Sequence, residues 1–256
     1  MKIGAHLYTV REFTQTNKDF AGTIKKLSQI GYGSVQVSSL NPRIPPEEVA
    51  ETCRAYNIEV VATDTDPVRI INDTNAVIDE HMHMGAKYIC IAMIPNSYSR
   101  NKDGFRRFVT DFIPAARAIK DEGLRLMYHN HRFEFERTED KTLLEYMADK
   151  FPDIGFILDT FWIQAGGADP AEWIRKFAGR VDAIHLKDYA IVDDSARTVE
   201  IFEGNLNWNS IFAAARESGV KYALVEQDSC HGKDPFESLR LSLSNIKKFD
   251  STLLGE

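Results

Sequence analysis

Tyr88-Ile89-Cys90-Ile91-Ala92-Met93, the amphipathic stretch Asn101–Lys120, the pair Glu122-Gly123 and then Arg125-Leu126-Met127-Tyr128-His129 follow one another along the chain. A short apolar run, a helical stretch, a glycine and a second apolar run make up one strand–helix–strand unit of a parallel sheet. Cys90 lies inside an apolar run and is expected in the core. The same alternation continues on both sides. Further strands are predicted over Lys2–Tyr8, Gly33–Val37, Glu59–Thr63, Gly155–Leu158, Ala183–Leu186 and Tyr222–Glu226. Eight strands in 256 residues repeat every ~32 residues, enough for a strand, a loop and a crossover helix.

The other helices are predicted over Phe20–Ile30, Pro45–Tyr56, Asn75–Met84, Leu143–Lys150, Asp169–Phe177, Trp208–Ser218 and Pro235–Phe249. Phe20, Ile24, Leu27 and Ile30 recur every three or four residues, the spacing of one helix face. Glycine follows several of these helices, at Gly31, Gly85, Gly123 and Gly219, where a left-handed residue can close the helix and turn the chain back to the sheet. No linker rich in Gly, Ser or Pro interrupts the series, and no G-x-G-x-x-G or P-loop pattern marks a doubly wound nucleotide fold. The expected fold is α/β, a single (β/α)8 TIM barrel over residues 1–256.

Composition narrows the function. Thirty-one basic and 38 acidic residues give a net charge of −7, with no basic cluster to hold a nucleic acid. The cysteines Cys53, Cys90 and Cys230 are odd in number and widely spaced, so neither a disulfide framework nor a thiolate zinc site is expected. No secretory leader and no apolar span near the ~20 residues of a membrane helix is present, which predicts a cytoplasmic protein with no membrane partner.

In a barrel, chemistry gathers at the C-terminal ends of the strands. Four consecutive strands end there in ionisable residues: Tyr128-His129-Asn130-His131 with Glu134, then Leu158-Asp159, then His185-Leu186-Lys187-Asp188, then Val225-Glu226-Gln227-Asp228. Clustered buried carboxylates repel and lose hydration, and a divalent cation removes that conflict. A mixed nitrogen and oxygen set suits Mn²⁺, Zn²⁺, Co²⁺ or Mg²⁺. The bland alternative, separate caps and ion pairs, fits one such residue better than four adjacent strand ends.

These segments, with Gly4-Ala5-His6-Leu7-Tyr8-Thr9-Val10-Arg11, Phe133-Glu134-Phe135, Thr160-Phe161-Trp162 and Glu203-Gly204-Asn205-Leu206-Asn207-Trp208, resemble the sugar phosphate isomerase/epimerase superfamily of xylose isomerase-like barrels. Tyr128-His129-Asn130-His131 is similar to a branch near the inosose dehydratase-like proteins. The resemblance spans nearly the whole chain. It implies one divalent metal held by a strand-five glutamate, an aspartate, a histidine and a final glutamate. Asp159, His185 and Glu226 match the last three. Where many relatives read Leu-Glu-Asn-His, the first position departs, so either His129 replaces the missing carboxylate or Glu134 folds back to supply it; a third carboxylate would better neutralise the ion, which favours Glu134.

Glu226, His129, His131 and Lys187 are the candidate catalytic residues. Two histidines two apart on a strand share a face and titrate near neutrality. Lys187 shares the face of His185 and could neutralise an enolate oxygen, with a salt bridge to Asp159 or Asp188 as the plain alternative. His6, Tyr8, Arg11, Trp162 and Glu203 are candidate substrate contacts. His81 and His83, in a helix far from any strand end, are expected to face solvent.

The function so implied is metal-dependent isomerisation or epimerisation of a keto-sugar or related polyol through an enediolate. The alternative is a lyase that eliminates from an inosose or an oxidised (keto) glycoside. An endonuclease IV-like enzyme and a non-catalytic sugar-binding subunit rank lower. The first would need more metal ligands and a basic surface, and the second does not call for so complete a ligand set. A homo-oligomer is compatible with the sequence.

Overall fold

A computed structural model of the chain describes residues 1–249. Its centre is a cylinder of eight parallel strands: β1 (Lys2–His6), β2 (Ser34–Val37), β3 (Glu59–Asp64), β4 (Tyr88–Ile91), β5 (Arg125–His129), β6 (Gly155–Asp159), β7 (Ala183–Leu186) and β8 (Tyr222–Val225). Each pairs with its neighbour in chain order, and β1 pairs with β8 to close the barrel. The (β/α)8 barrel expected from the sequence is the fold.

Local chemistry sets the helices. The amphipathic stretch after β4 is helical over Lys102–Asp121, and the Asn101 side chain caps it by accepting from the Gly104 N–H. A capping box between Thr142 and Glu145 starts the helix Leu143–Lys150. Gly31 closes the helix Asn17–Ile30 at φ 108°, a left-handed conformation that a side chain would oppose.

Side chains two apart on a strand share a face, and here that period divides two cores. The outward residues, such as Tyr128, Phe156, Ile184 and Val225, pack against the helices with Phe20, Phe105, Phe112 and Phe212. The inward ones, including Met127, Ile157, Ala183 and Leu224, fill the lumen as a separate apolar plug. One step of two further along the same strands come His129, Asp159, His185 and Glu226. The polar residues therefore stand on an apolar floor.

Some segments differ from expectation. The first strand stops at His6, whose ring accepts the Tyr8 N–H and starts a tight 3-10 turn over Leu7–Phe13. Short helices unforeseen in the sequence follow β3 (Pro67–Asn72) and β6 (Thr160–Ala165). After β7 the chain makes an antiparallel hairpin, Asp188–Val192 with Ser195–Val199. Its two-residue turn, Asp193-Asp194, has both φ values positive (51° and 59°), which suits the twist of the flanking strands.

His81 is a correction. It is buried, with Nδ1 2.7 Å from the Val77 carbonyl and Nε2 2.7 Å from the Thr63 hydroxyl. It falls on the core face of its helix with Val77 and Ile78, whereas His83 is exposed. Burial lowers the His81 pKa, so the unfolded chain, with a pKa near 6.5, takes up the proton first on acidification. The stabilisation from His81 is thus present above about pH 6.5 and lost as pH falls through the depressed folded value. Urea denaturation should show the advantage of wild type over His81→Gln shrinking from about pH 7.5 to about pH 5; a constant difference would contradict this.

Candidate functional site

At the C-terminal end of the barrel a cavity of about 680 Å³ opens between the strand ends, within the usual range for a small-molecule site. His6, Tyr8, Asp64, His129, His131, Trp162, Lys187, Glu226 and Asp228 are among its lining residues. Asp159 and His185 lie just beneath it, fully buried, and the register of β6 with β7 sets them side by side.

His129, Asp159, His185 and Glu226 each offer one ligand-type atom, and those atoms all lie within 4.8 Å of one another. The orientation of the two imidazoles is informative. His129 Nδ1 is 3.0 Å from the Ala92 carbonyl oxygen, which can only accept, so Nδ1 bears the hydrogen of the neutral ring. Nε2 then turns a lone pair toward Asp159 Oδ2, 3.3 Å away. His185 Nδ1 lies 3.0 Å from Glu226 Oε2, yet neither atom has a hydrogen-bond partner. Two electron-rich atoms facing each other without a proton between them fit a shared cation.

Of the two strand-five candidates, His129 stands in the cluster. Glu134, favoured from the sequence, lies outside the cluster. Its carboxylate accepts from the Tyr128 hydroxyl at 2.6 Å and the His131 N–H at 2.8 Å, inside the turn after β5. Burial pushes its pKa up to about 7, which suits a structural brace better than an anionic ligand.

Lys187 supplies positive charge from the protein itself. Its ammonium is fully buried and stands 3.1 Å from each of Asp159 Oδ2, Glu226 Oε1 and Asp228 Oδ1. Burial alone would lower its pKa; the three carboxylates outweigh that and raise it. In return, Lys187 overcomes the burial that would otherwise raise Asp159 and Glu226, and both stay ionised. His131 is different. Burial and the neighbouring His129 push it down to about 3, leaving a neutral ring 5.2 Å from the Trp162 ring.

Two expected substrate contacts do not line the cavity. Arg11 lies across the Tyr8 ring, 4.2 Å from its centroid, and donates to the Tyr8 and Asp228 carbonyls. Glu203 is exposed and meets Asn245. Its loop is tied instead to Asp188, whose carboxylate accepts from the Phe202 and Gly204 N–H groups and the Trp208 indole. Lys187 pairs with Asp159 and not with Asp188.

Asp64 and Gln36 belong to the site and were not singled out from the sequence, and Asp228, quoted there at the end of strand eight, was given no role. Asp64 Oδ2 faces His6 Nε2 at 3.3 Å. Burial alone would raise Asp64, but His6 outweighs it and holds the carboxyl at about 2. The signal was available: Gln36 and Asp64 are polar residues at the ends of apolar strands, as Asp159 is.

The sequence profile of the xylose isomerase-like TIM barrel matches residues 24–248. The chain belongs to that family. Solved structures similar to it include a sugar phosphate isomerase/epimerase from Parabacteroides distasonis, at 20% identity over 96% of this chain and 98% of that one, with a TM-score of 0.79. The IOLI protein, solved with a bound zinc atom, is 14% identical over 100% of both chains, with a TM-score of 0.73. A probable 3-DHS dehydratase, AsbF of Bacillus anthracis, is 13% identical over 96% of this chain and 99% of that one, with a TM-score of 0.71. At such identities the likeness is one of fold. No curated protein matches the chain by sequence. Among the described residues no helix is long and apolar enough to cross a membrane.

Lys187→Met should leave three neighbouring carboxylates without their buried counter-charge. In chelator the variant is expected to lose about 3–5 kcal/mol of stability, read from denaturant midpoints; an unchanged midpoint would mean the ammonium does not hold the cluster together.

Proposed function

We propose that this protein is a metal-dependent isomerase or epimerase acting on a keto-sugar or related polyol. The observation that carries the reading is the convergence of His129, Asp159, His185 and Glu226 with imidazole lone pairs turned inward, on the floor of an open cavity. His129 takes the strand-five place, and the ligand set becomes two nitrogens and two carboxylates, suited to Mn²⁺, Zn²⁺ or Co²⁺. The zinc in the IOLI structure agrees with such a set.

When bound, a divalent ion supplies Lewis acidity toward a carbonyl and its neighbouring hydroxyl. The protein groups do the rest. Glu226, ionised and at the cavity wall, takes the proton from the carbon next to the carbonyl. The Lys187 ammonium lies beside it and stabilises negative charge developing on oxygen. Trp162 and Tyr8 offer flat surfaces to the sugar carbons, and His131, neutral and facing the same space, can accept a proton at the other face; only the ring so protonated can give one back. Return to the opposite face of the same carbon gives an epimer; return to the adjacent carbon gives an isomer.

Elimination is the second reading, favoured by Asp228. Burial raises its pKa, against the pull of Lys187, and a proton taken up by this carboxylate at the cavity wall could pass to a departing hydroxyl or glycosidic oxygen. A probable dehydratase among the structural relatives is consistent with this.

Incubating Mn²⁺-loaded protein with ketohexoses, an inosose and a keto-glycoside in D₂O separates the readings. Deuterium entering the carbon beside the carbonyl with retention of all oxygens marks isomerisation or epimerisation. An unsaturated product marks elimination. Asp159→Ala should abolish both the exchange and metal uptake measured by elemental analysis. If no substrate of the panel exchanges, or if Asp159→Ala keeps full metal content, the assignment fails.

Metal affinity should also fall with acidity. Burial lowers the His129 pKa, but Asp159 and Glu226 outweigh burial and leave it raised, so a proton competes with the ion for Nε2. Below that raised value each unit of pH should weaken Mn²⁺ binding by about tenfold, and calorimetric titrations between about pH 8 and about pH 5.5 would reveal a flat profile if His129 were no ligand.

A further inference from the structure

Gln36, next to the last residue of β2, and Asp64, the last of β3, lie on a different part of the rim from the strands β5 to β8 that bear the four converging groups. Both are joined to that cluster through one histidine. His185 Nε2 lies 2.9 Å from Gln36 Oε1, and Gln36 Nε2 lies 2.7 Å from Asp64 Oδ1.

The directions of these bonds follow from donor chemistry. An ionised carboxylate only accepts, so Asp64 must meet the NH₂ end of the Gln36 amide. The amide carbonyl is then turned toward His185. A carbonyl also only accepts, so the imidazole must carry its hydrogen on Nε2. Nδ1 is left with a bare lone pair, and Nδ1 is the atom 3.0 Å from Glu226 Oε2 and 3.9 Å from Asp159 Oδ2.

We propose that Asp64 and Gln36 form a two-residue relay that locks His185 in the Nε2–H tautomer and so presents Nδ1 to the metal. Gln36 is thus a positioning residue of the metal centre, acting from the far side of the ring; the inference rests on the metal reading above. Asp64 sets the orientation of Gln36, and His6 on its other oxygen holds Asp64 in place. His129 needs no relay, because the main-chain carbonyl of Ala92 does the same work for it.

Long-range ¹H–¹⁵N spectra of labelled, metal-free protein report the His185 tautomer directly and should show Nε2–H. Gln36→Met, similar in shape but without the amide, should lose that preference and bind Mn²⁺ about ten- to a hundredfold more weakly in calorimetric titration. The double variant Gln36→Glu/Asp64→Asn exchanges the partners' roles: a carboxylate at 36 accepts from His185, and an amide at 64 donates to it. It should restore both the tautomer and most of the affinity. An Nδ1–H signal in wild type, wild-type affinity in Gln36→Met, or no rescue in the double variant would each overturn the relay. An Nε2–H signal in a wild-type protein that takes up no metal would uphold the relay and sink the functional reading instead.

Discussion

Charge cannot be buried without an answering charge, and the upper end of this barrel is arranged around that constraint. Asp159 and Glu226 lie in the lumen with almost no exposure, where each would be costly alone. Lys187 answers them with an ammonium, and the inward-facing lone pairs of His129 and His185 leave room for an external cation. The apolar plug below, with Met127, Ile157 and Leu224, keeps water from serving instead. The ionic chemistry follows from the dryness of the floor.

The same period of two that builds the plug also places the four converging residues. Met127 leads to His129, Ile157 to Asp159, Ala183 to His185 and then Lys187, and Leu224 to Glu226. That ladder was legible in the sequence, since apolar runs ending in ionisable residues can be counted without coordinates. The closed barrel and three of the four converging residues were read in this way. What could not be read was contact between distant segments. His129 and Glu134 were both in reach of the cluster on paper, and charge counting favoured the carboxylate. The choice turns on a three-residue turn that folds Glu134 back on Tyr128 and the His131 amide, a local geometry that no spacing rule encodes.

Other differences share this origin. Arg11 and Glu203 sit in motifs that point toward the rim, but each is taken up by a neighbour: Arg11 by the Tyr8 ring and Glu203 by Asn245. Gln36 and Asp64 were passed over. Their bonds to His185 and His6 exist only once β2 and β3 have closed beside β1. His81 was misjudged because its distance from the strand ends was given more weight than its place on the helix face shared with Val77.

The buried ammonium of Lys187 carries a wider consequence. Because it is tethered to β7, its compensation travels with the polypeptide and arrives as soon as the strands assemble. The barrel therefore does not have to wait for an inorganic ion to become habitable for its acids, as a small zinc-dependent domain must. On the proposed metal reading, folding and metallation become separable events, and the finished protein could take its ion late, from whatever supply its surroundings hold.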